Sequence, residues 1–307
     1  MGNGPPFQAG EPEWAEYDGR DAPRVRSCRQ RAAHRHFRKG PIMLGALAGD
    51  IIGSVHEFGS TKTKDFPLFV AESAFTDDSV MTAAVALAIL TRKPYAIAMR
   101  TLGRAYPDAG YGGWFIGWLA EDDAPAYDSW GNGSAMRVSP VGFAFSDHAA
   151  VLAEAERTAV VSHSHPEGVK GAQATALAVR LARDGAARET IRTTIASRFG
   201  YDLSRTVDQI RPGYSFDVSC QGTVPEAIIA FLDSTSFEDA IRNAVSLGGD
   251  ADTLACITGA IAEAYYEYGE GKGGARGISA AIREEVVRRL DEDLLEILRT
   301  FYDTYGR

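Results

Sequence analysis

Apolar residues recur at three- and four-residue spacing along most of this 307-residue chain, from Pro41 to near its C-terminus. This spacing is typical of one face of an α-helix, and alternating β-branched runs, which are typical of strands, are nearly absent. Alanine, the best helix former, contributes 47 residues. The pattern therefore predicts an all-α fold built as one compact domain. The spans predicted as helices are 80–90, 149–160, 168–181, 189–199, 225–232, 237–245, 254–266 and 278–301, the last with a break near 290–293.

Two long stretches, 106–140 and 202–223, lack this periodicity and are rich in glycine, aromatic or polar residues. Loops of this length are uncommon in a compact domain unless they carry function, so both are predicted to be functional loops. Helix starts are indicated by Ser236, which Asp239 follows at capping-box spacing. Pro225 is predicted to lie in a first helical turn, where its missing N–H costs nothing.

The first 42 residues differ in composition from the rest of the chain. They hold eight basic and five acidic side chains, whereas the remaining 265 residues carry 24 basic and 36 acidic groups. Because the segment has few aliphatic residues, it cannot bury enough apolar surface to order itself. We therefore predict a flexible basic extension over 1–42 and a helical domain over 43–307. The extension is either a disordered tail, with Met43 as an alternative start, or a partner-binding arm.

Composition and cysteine count exclude several classes of protein. No apolar run approaches the roughly 18 residues of a transmembrane helix, and the N-terminus lacks the apolar stretch of a secretory signal. Cys28, Cys220 and Cys256 are widely spaced and form neither a disulfide framework nor a CxxC metal motif. The formal net charge of −9 argues against a nucleic-acid partner. We expect a cytoplasmic protein without a membrane partner.

Two acidic segments stand immediately before predicted helices. One is Thr76-Asp77-Asp78 and the other is Asp250-Ala251-Asp252-Thr253. Asp and Thr are common helix caps, but one cap needs only one such residue, and neighbouring carboxylates repel one another. A hard divalent cation such as Mg²⁺, Mn²⁺ or Ca²⁺ relieves that repulsion through oxygen ligands. Capping and metal binding both stay open here. Small residues after each segment would let the two helices approach and share a site for two metals.

A glycine repeat, Gly45, Gly49 and Gly53, keeps one helical face bare near the start of the domain. Such a face serves either close helix packing or the approach of backbone to a ligand. Glu57 follows soon after this face. It is a candidate acid or base if the fold brings it to the metal ligands.

Two further segments have both a structural and a functional interpretation. The glycine-rich run from Ser129 to Arg137 is either a simple turn or a phosphate cradle of backbone N–H groups, with the arginine nearby. His163 and His165 are separated by one residue, which suggests either zinc ligands or polar helix capping. No further Cys or His stands at metal-binding spacing from this pair.

Taken together and in this order, the motifs resemble those of the ADP-ribosylglycohydrolase family, in particular its bacterial branch. The resemblance begins at Met43 and extends essentially to the C-terminal helix. It implies an all-α catalytic domain over 43–307 with a binuclear Mg²⁺ or Mn²⁺ centre in a central cleft. The implied metal ligands are Thr76, Asp77, Asp78, Asp250, Asp252 and Thr253. The implied catalytic residues are Glu57, Asp77 and Asp78. The implied ADP-ribose-binding residues are Gly112, Gly113, Ser129, Trp130, Gly131, Asn132, Gly133 and His163.

The activity that the resemblance implies is hydrolysis at the anomeric carbon of the distal ribose, which removes ADP-ribose from modified protein side chains. Arginine-linked ADP-ribose is the favoured substrate, with serine-linked ADP-ribose and O-acetyl-ADP-ribose as alternatives. A function of another class is binding alone, as an ADP-ribose-binding protein or as an immunity protein that blocks a cognate ADP-ribosylating toxin through residues 1–42. The intact set of acidic residues favours the enzyme.

Overall fold

The computed structural model describes residues 43–272 and 274–306, and the regular structure within them is helical. This confirms the all-α prediction, since an isolated β-bridge between Gly131 and Ser219 is all the β-structure in this part of the chain. The extension predicted over 1–42 lies outside the described residues. The α-helices are α1 Gly45–Gly53, α2 Asp77–Thr91, α3 Tyr95–Ala105, α4 Gly113–Ala120, α5 Gly133–Met136, α6 Ser139–Ala144, α7 His148–Ala159, α8 Pro166–Arg183, α9 Arg188–Phe199, α10 Val207–Ile210, α11 Cys220–Leu232, α12 Phe237–Leu247, α13 Ala251–Glu263, α14 Ala280–Arg289 and α15 Glu292–Tyr305.

Each span predicted as helical falls on a helix of the structure, with ends that differ by a few residues. The span 254–266 covers most of α13 and enters a π-helical turn at Ala264–Tyr268. The break predicted near 290–293 is confirmed. There Asp291 caps α15 by accepting a hydrogen bond from the N–H of Leu294 (3.0 Å).

Three predictions about individual elements were wrong, and one helix was missed. The helix α3 was not predicted, and the two stretches predicted as loops contain helices: α4, α5 and the start of α6 within 106–140, and α10 and the start of α11 within 202–223. These pieces are short or rich in glycine and aromatic residues, which hides their periodicity. Pro225 lies inside α11 rather than in its first turn, because the helix is capped earlier, where Ser219 accepts a hydrogen bond from the N–H of Gly222 (3.0 Å).

The glycine face of α1 packs directly against α13, which confirms the close-packing interpretation. A Cβ atom on Gly49 would overlap the carbonyl oxygen of Ala255. One on Gly53 would lie 2.5 Å from the carbonyl oxygen of Ala251, and Gly45 meets the backbone of α13 in the same way. The two helix backbones therefore touch, and the C-terminal end of α1 lies beside the N-terminal end of α13.

Replacing Gly49 with alanine is expected to lower the free energy of unfolding by about 3 kcal/mol or more, because the added methyl group meets rigid backbone. Gly117→Ala is the matched control. Gly117 lies in α4, and no atom lies within 4 Å of the position of its added Cβ, so alanine should be neutral or slightly stabilising there. Urea denaturation measures both variants. Equal stability for the two would contradict backbone contact between α1 and α13.

Glu263, the last residue of α13, caps the start of α1. Its carboxylate is fully buried and accepts hydrogen bonds from the backbone N–H groups of Leu44 (3.1 Å) and Gly45 (2.8 Å). These donors lie at the start of a helix, where no intrahelical acceptor exists. Burial raises the pKa of Glu263 to about 8. The helix pair is thus held by glycine packing along its length and by this carboxyl group at one end.

The raised pKa of Glu263 predicts a pH-dependent contribution to stability. A carboxyl group whose pKa is higher in the folded state stabilises the fold most at a pH below its pKa in the unfolded chain, here 4.5. This stabilisation is lost as pH rises through the folded-state pKa of about 8. Glu263→Gln does not titrate. Near pH 4 the variant should be less stable than the wild type, since its NH₂ group faces a backbone N–H. Toward pH 9 this difference in the free energy of unfolding should shrink, because only the wild type loses stability. Urea denaturation across this range measures the difference, and parallel profiles would contradict it.

None of the helices in the described part of the chain has the length and apolar character needed to cross a bilayer. Cys220 and Cys256 are both buried as free thiols. The third cysteine, Cys28, lies outside the described residues.

Candidate active site

A cleft of about 410 Å³ opens where the N-terminal ends of α2 and α13 meet. It brings together all the site residues predicted from sequence except Trp130, which lies next to Gly131 in the chain and is 48% exposed. The predicted residues that line the cleft are Glu57, Thr76, Asp77, Asp78, Gly112, Gly113, Ser129, Gly131, Asn132, Gly133, His163, Asp250, Asp252 and Thr253. The acidic motifs and the glycine-rich loops therefore face the same space.

Asp50 ties α1 to the start of α2. Its buried carboxylate accepts hydrogen bonds from the N–H and the hydroxyl of Thr76 (3.0 and 2.7 Å) and from the N–H (3.0 Å) and the hydroxyl of Ser79. Thr76 in turn caps α2 by accepting from the N–H of Asp78 (3.3 Å). The sequence pattern did not assign Asp50 to the site. Its one signal was its position directly after Gly49, on the helix whose glycine face is packed.

Asp78 is buried, and the protein uses only part of its carboxylate. Its Oδ2 atom accepts a hydrogen bond from the hydroxyl of Thr253 (3.3 Å), whereas its Oδ1 atom is buried without a hydrogen-bond partner. A buried carboxylate oxygen without a donor is costly unless a ligand meets it. Asp78 therefore offers an oxygen atom to a ligand.

The second acidic motif follows a tight turn between α12 and α13. Gly248 and Gly249 have positive φ values of 74° and 83°, which glycine adopts without strain. The carboxylate of Asp250 then accepts a hydrogen bond from Nδ2 of Asn132 (2.7 Å). The same Nδ2 atom lies 3.0 Å from the hydroxyl of Thr223. The glycine-rich loop is thus bonded directly to the acidic motif.

The carboxylates form two overlapping groups that share Asp252. One group is Asp50, Asp78 and Asp252, and the other is Glu57, Asp250 and Asp252. Within each group, one oxygen from every residue lies within 4.8 Å of the others. Donor sets made only of oxygen suit hard divalent cations rather than zinc.

Burial and mutual repulsion raise the pKa values of several acidic groups in the cleft. Burial, with neighbouring carboxylates adding to it, raises the pKa values of Asp78 and Asp252 well above their usual range. The same causes raise the pKa of Asp77 to about 8. Glu57 is half-buried, and burial followed by the charge of Asp250 raises its pKa to about 7. A bound cation has the opposite effect, because it favours the charged form of each group.

Helix capping accounts for Thr76 but not for the clustered carboxylates. Thr76 caps α2, and Asp250, at the cap position of α13, makes no side-chain capping hydrogen bond. The clustered carboxylates, with the unpartnered Oδ1 of Asp78 among them, are therefore not explained by capping. The residues present fit a hard divalent cation.

Glycine-rich loops form another part of the cleft wall. At Gly112 and Gly113, no atom lies within 4 Å of the position that a Cβ would occupy, so this backbone is open to a ligand. At Gly133, a Cβ would lie 3.0 Å from Nε2 of His163, so glycine leaves room for the imidazole ring. Exposed backbone N–H groups of this kind can bind an anionic group such as a phosphate.

His163 presents an imidazole ring to the cleft. Ser162 Oγ accepts a hydrogen bond from Nη2 of Arg137 (2.9 Å) and lies within hydrogen-bond distance of Nδ1 of His163 (2.8 Å). If the serine donates its hydrogen to Nδ1, the proton of the neutral ring is on Nε2, the atom near Gly133. Burial, and next the positive charge of Arg137, hold the pKa of His163 well below its usual value.

Arg137 and His165 have structural roles. Arg137 is 1% exposed, and its guanidinium donates to the carbonyl oxygen of Thr158 (2.8 Å) as well as to Ser162, so it supports His163. His165 accepts a hydrogen bond from the N–H of Glu167 (3.2 Å) and so caps α8. The two histidines therefore do not form one site, and capping explains the second of them.

The fold and cleft define an all-α protein with a cluster of buried carboxylates and open glycine loops around one cavity. A solved structure titled ADP-ribosylglycohydrolase-related protein complex shares the fold, with a TM-score of 0.64 and 25% identity over 89% of this chain and 99% of that chain. A family model described as ADP-ribosylglycohydrolase matches residues 36–305, and the chain belongs to this family.

Named relatives agree with this family. The chain is 26% identical to ADP-ribosylhydrolase ARH3 of Mus musculus, over 76% of this chain and 85% of the relative. It is 27% identical to ADP-ribosylarginine hydrolase Tri1 of Pseudomonas putida (strain GB-1), over 85% of this chain and 77% of the relative. The resemblance inferred from the motifs is confirmed, and membership supports an ADP-ribosyl hydrolase activity.

Proposed function

We propose that this protein removes ADP-ribose from modified protein side chains by hydrolysing the bond at the anomeric carbon of the distal ribose. The observation that carries this proposal is a single cleft, in a member of this family, that combines clustered carboxylates with open glycine loops. Arginine-linked ADP-ribose is the favoured substrate, supported by the name of the Pseudomonas putida relative. Serine-linked ADP-ribose and O-acetyl-ADP-ribose are the alternatives.

Two kinds of group in the cleft suit two parts of ADP-ribose. Its pyrophosphate is an anion that the open backbone at Gly112 and Gly113 can bind, and a proton on Nε2 of His163 would add a neutral donor. The distal ribose then lies toward the carboxylates, where its vicinal hydroxyls meet oxygen-rich surroundings. In this proposed orientation the anomeric carbon lies near Glu57, whose carboxylate is grouped with those of Asp250 and Asp252.

We propose two divalent cations, Mg²⁺ or Mn²⁺, as cofactors. When bound, such ions order the ribose hydroxyls and lower the pKa of a water molecule that attacks the anomeric carbon. The buried unpartnered Oδ1 of Asp78 and the overlapping carboxylate groups support a cation site. The residues proposed to hold the ions are Thr76, Asp77, Asp78, Asp250, Asp252 and Thr253.

Glu57 is proposed to transfer the proton. Cleavage at the anomeric carbon develops positive charge on the ribose and negative charge on the leaving atom. Glu57 is half-buried in the cleft and lies outside the proposed set of cation ligands, so its carboxyl group is free to give a proton to that atom.

The function is tested by incubating the protein with arginine- and serine-ADP-ribosylated peptides and with O-acetyl-ADP-ribose, with Mg²⁺ and then with EDTA. We expect release of ADP-ribose from the arginine-linked peptide in Mg²⁺, loss of release in EDTA and recovery when Mg²⁺ is restored. No release from any conjugate in Mg²⁺ or Mn²⁺ would overturn the proposed activity. Undiminished release in EDTA would overturn its dependence on divalent cations.

A further inference from the structure

Two exposed phenylalanines form a stacked pair at the mouth of the cleft, the Phe58–Phe216 platform. Phe58 is 87% exposed and Phe216 is 50% exposed, and their rings lie 6.3 Å apart at an interplanar angle of 23°. Both side chains line the cleft. Large apolar side chains exposed together at a concave site typically mark a binding surface. The platform is therefore expected to have an occupant.

The two chain segments that carry the platform are bonded to each other and to the turn before α13. Ser60, just after the first ring, accepts a hydrogen bond from the N–H of Gly249 (3.4 Å). Lys62 donates to the carbonyl oxygen of Tyr214 (2.6 Å), just before the second ring. The rings are thus positioned by the same turn that presents the second acidic motif.

The first ring of the platform directly follows the proposed proton donor. Phe58 comes after Glu57 in the chain, and Glu57 shares an oxygen cluster with Asp250 and Asp252. The segment of the second ring borders the glycine-rich loop, because the N–H of Asn132 donates to the carbonyl oxygen of Val218 (2.8 Å). A group stacked on Phe58 is therefore close to the carboxyl group proposed to protonate the leaving atom.

The chemistry of the leaving group decides which one fits the platform. Four of the five carboxylates in the described lining are proposed cation ligands, and the fifth, Glu57, directly precedes Phe58 in the chain. The one cation of that lining, Arg137, is buried and bonded to Thr158 and Ser162. A guanidinium group is planar and positive, so it stacks on aromatic faces and is attracted to carboxylates. A serine hydroxyl or an acetate group has neither the flat cationic face nor the charge.

We infer that the Phe58–Phe216 platform is the leaving-group subsite and that it binds the guanidinium group of ADP-ribosylated arginine. This inference rests on the proposed hydrolase function and deepens it, because it assigns the choice of linkage to two side chains. The phenyl rings bind and orient the guanidinium group, and Glu57 supplies the proton. Phe58 and Phe216 are therefore specificity-determining residues.

Two substitutions at Phe58 distinguish the effect of the aromatic ring from the effect of side-chain size. Phe58→Leu keeps an apolar side chain without a ring, and Phe58→Tyr keeps the ring. We expect Phe58→Leu to lower kcat/KM for the arginine-linked peptide by about fivefold or more, and to change it by less than about twofold for serine-linked or O-acetyl-ADP-ribose. Phe58→Tyr should retain wild-type preference. Because Phe58 is exposed, both variants should fold, which circular dichroism checks.

Two binding measurements identify what the platform contacts. Calorimetry with free ADP-ribose, which has no leaving group, should give the same Kd for the wild type and Phe58→Leu. N-acetylarginine amide should bind the wild type more tightly than N-acetyllysine amide, which has equal charge but no planar group, and this difference should disappear in Phe58→Leu. Trp114→Leu is the comparison variant, because it removes another exposed aromatic side chain of the lining. It should change kcat/KM by the same factor for arginine-linked and serine-linked substrates.

The outcomes distinguish failure of the inference from failure of the proposed function. Equal losses on both linkages in Phe58→Leu, or weaker binding of free ADP-ribose, would place the platform against the nucleotide and overturn the inference while the hydrolase function stands. Absence of hydrolysis in the wild type would overturn the function. Equal binding of the arginine and lysine amides would overturn the guanidinium subsite whatever the activity.

Discussion

Replacing Asp252 with asparagine is expected to reduce hydrolysis more than about a hundredfold, a loss larger than that seen when partners of metal ligands are removed. Asp252 belongs to both carboxylate groups of the site, so its loss disrupts both at once. Its neighbours Asp78 and Asp250 are retained in the variant. Steady-state hydrolysis of the arginine-linked peptide over a range of Mg²⁺ concentrations measures the effect. Full activity of Asp252→Asn at low Mg²⁺ would contradict a shared cation site.

The same substitution should act in the opposite direction on stability when no cation is present. Asp252 is 5% exposed and faces other buried carboxylates, so in the folded state it must either bear a charge beside them or take up a proton, and asparagine avoids both costs. In EDTA, Asp252→Asn should therefore melt at or above the temperature of the wild type. Added Mg²⁺ should raise the Tm of the wild type and leave that of the variant nearly unchanged. A wild-type Tm that does not respond to Mg²⁺ or Mn²⁺ would contradict the site.

Asp50→Asn is the matched control, because Asp50 is a carboxylate of the same cluster with a different role. Both of its oxygens already accept hydrogen bonds, from Thr76 and Ser79. An amide in its place would turn an NH₂ group toward these donors, which costs about 1–3 kcal/mol. Asp50→Asn should thus lower the Tm with or without Mg²⁺. This contrast separates a structural carboxylate from one that is left for a ligand.

The sequence predicted the parts of the site that contain more polar or glycine residues than the local secondary structure requires. Asp77 and Asp78 follow a threonine that is sufficient to cap α2, and this surplus of carboxylates indicated a ligand site. Gly49, at helical spacing from two other glycines, indicated close packing of two helices. Both signals are local in the chain, so a pattern reveals them.

Other features depend on contacts between distant segments, and no local pattern carries them. The role of Asp50 comes from burial between two helices. The full burial of Arg137 depends on acceptors contributed by α7 and the turn after it. The exposure of Phe58, and its pairing with Phe216, arise only when two loops meet. The sequence therefore predicts the acidic centre better than the surfaces that would select a substrate.

Glu57→Gln is expected to retain ADP-ribose binding and to lose about 10²- to 10⁴-fold in kcat, the range usual for a general acid. Glutamine keeps the size and the polar oxygen of the side chain but cannot deliver a proton to the leaving atom. The open backbone at Gly112 and Gly113 and the ring of His163, which are proposed to bind the pyrophosphate, are unchanged in the variant. Calorimetry with ADP-ribose and single-turnover hydrolysis separate binding from chemistry. Glu72→Gln, at an exposed glutamate outside the cleft, is the control.

The leaving group makes the result for Glu57 diagnostic of mechanism. A substrate whose leaving group needs no proton, such as an ADP-ribosyl ester of a strong acid, should be hydrolysed by Glu57→Gln far closer to the wild-type rate than the arginine-linked peptide is. If Glu57 instead bound the ribose or a cation, both substrates would lose activity equally, because those contacts do not depend on the leaving group. Wild-type turnover of the arginine-linked peptide by Glu57→Gln would remove the residue from catalysis. The ratio of the two rates, rather than either rate alone, therefore tests whether the carboxyl group beside Asp250 acts as the acid.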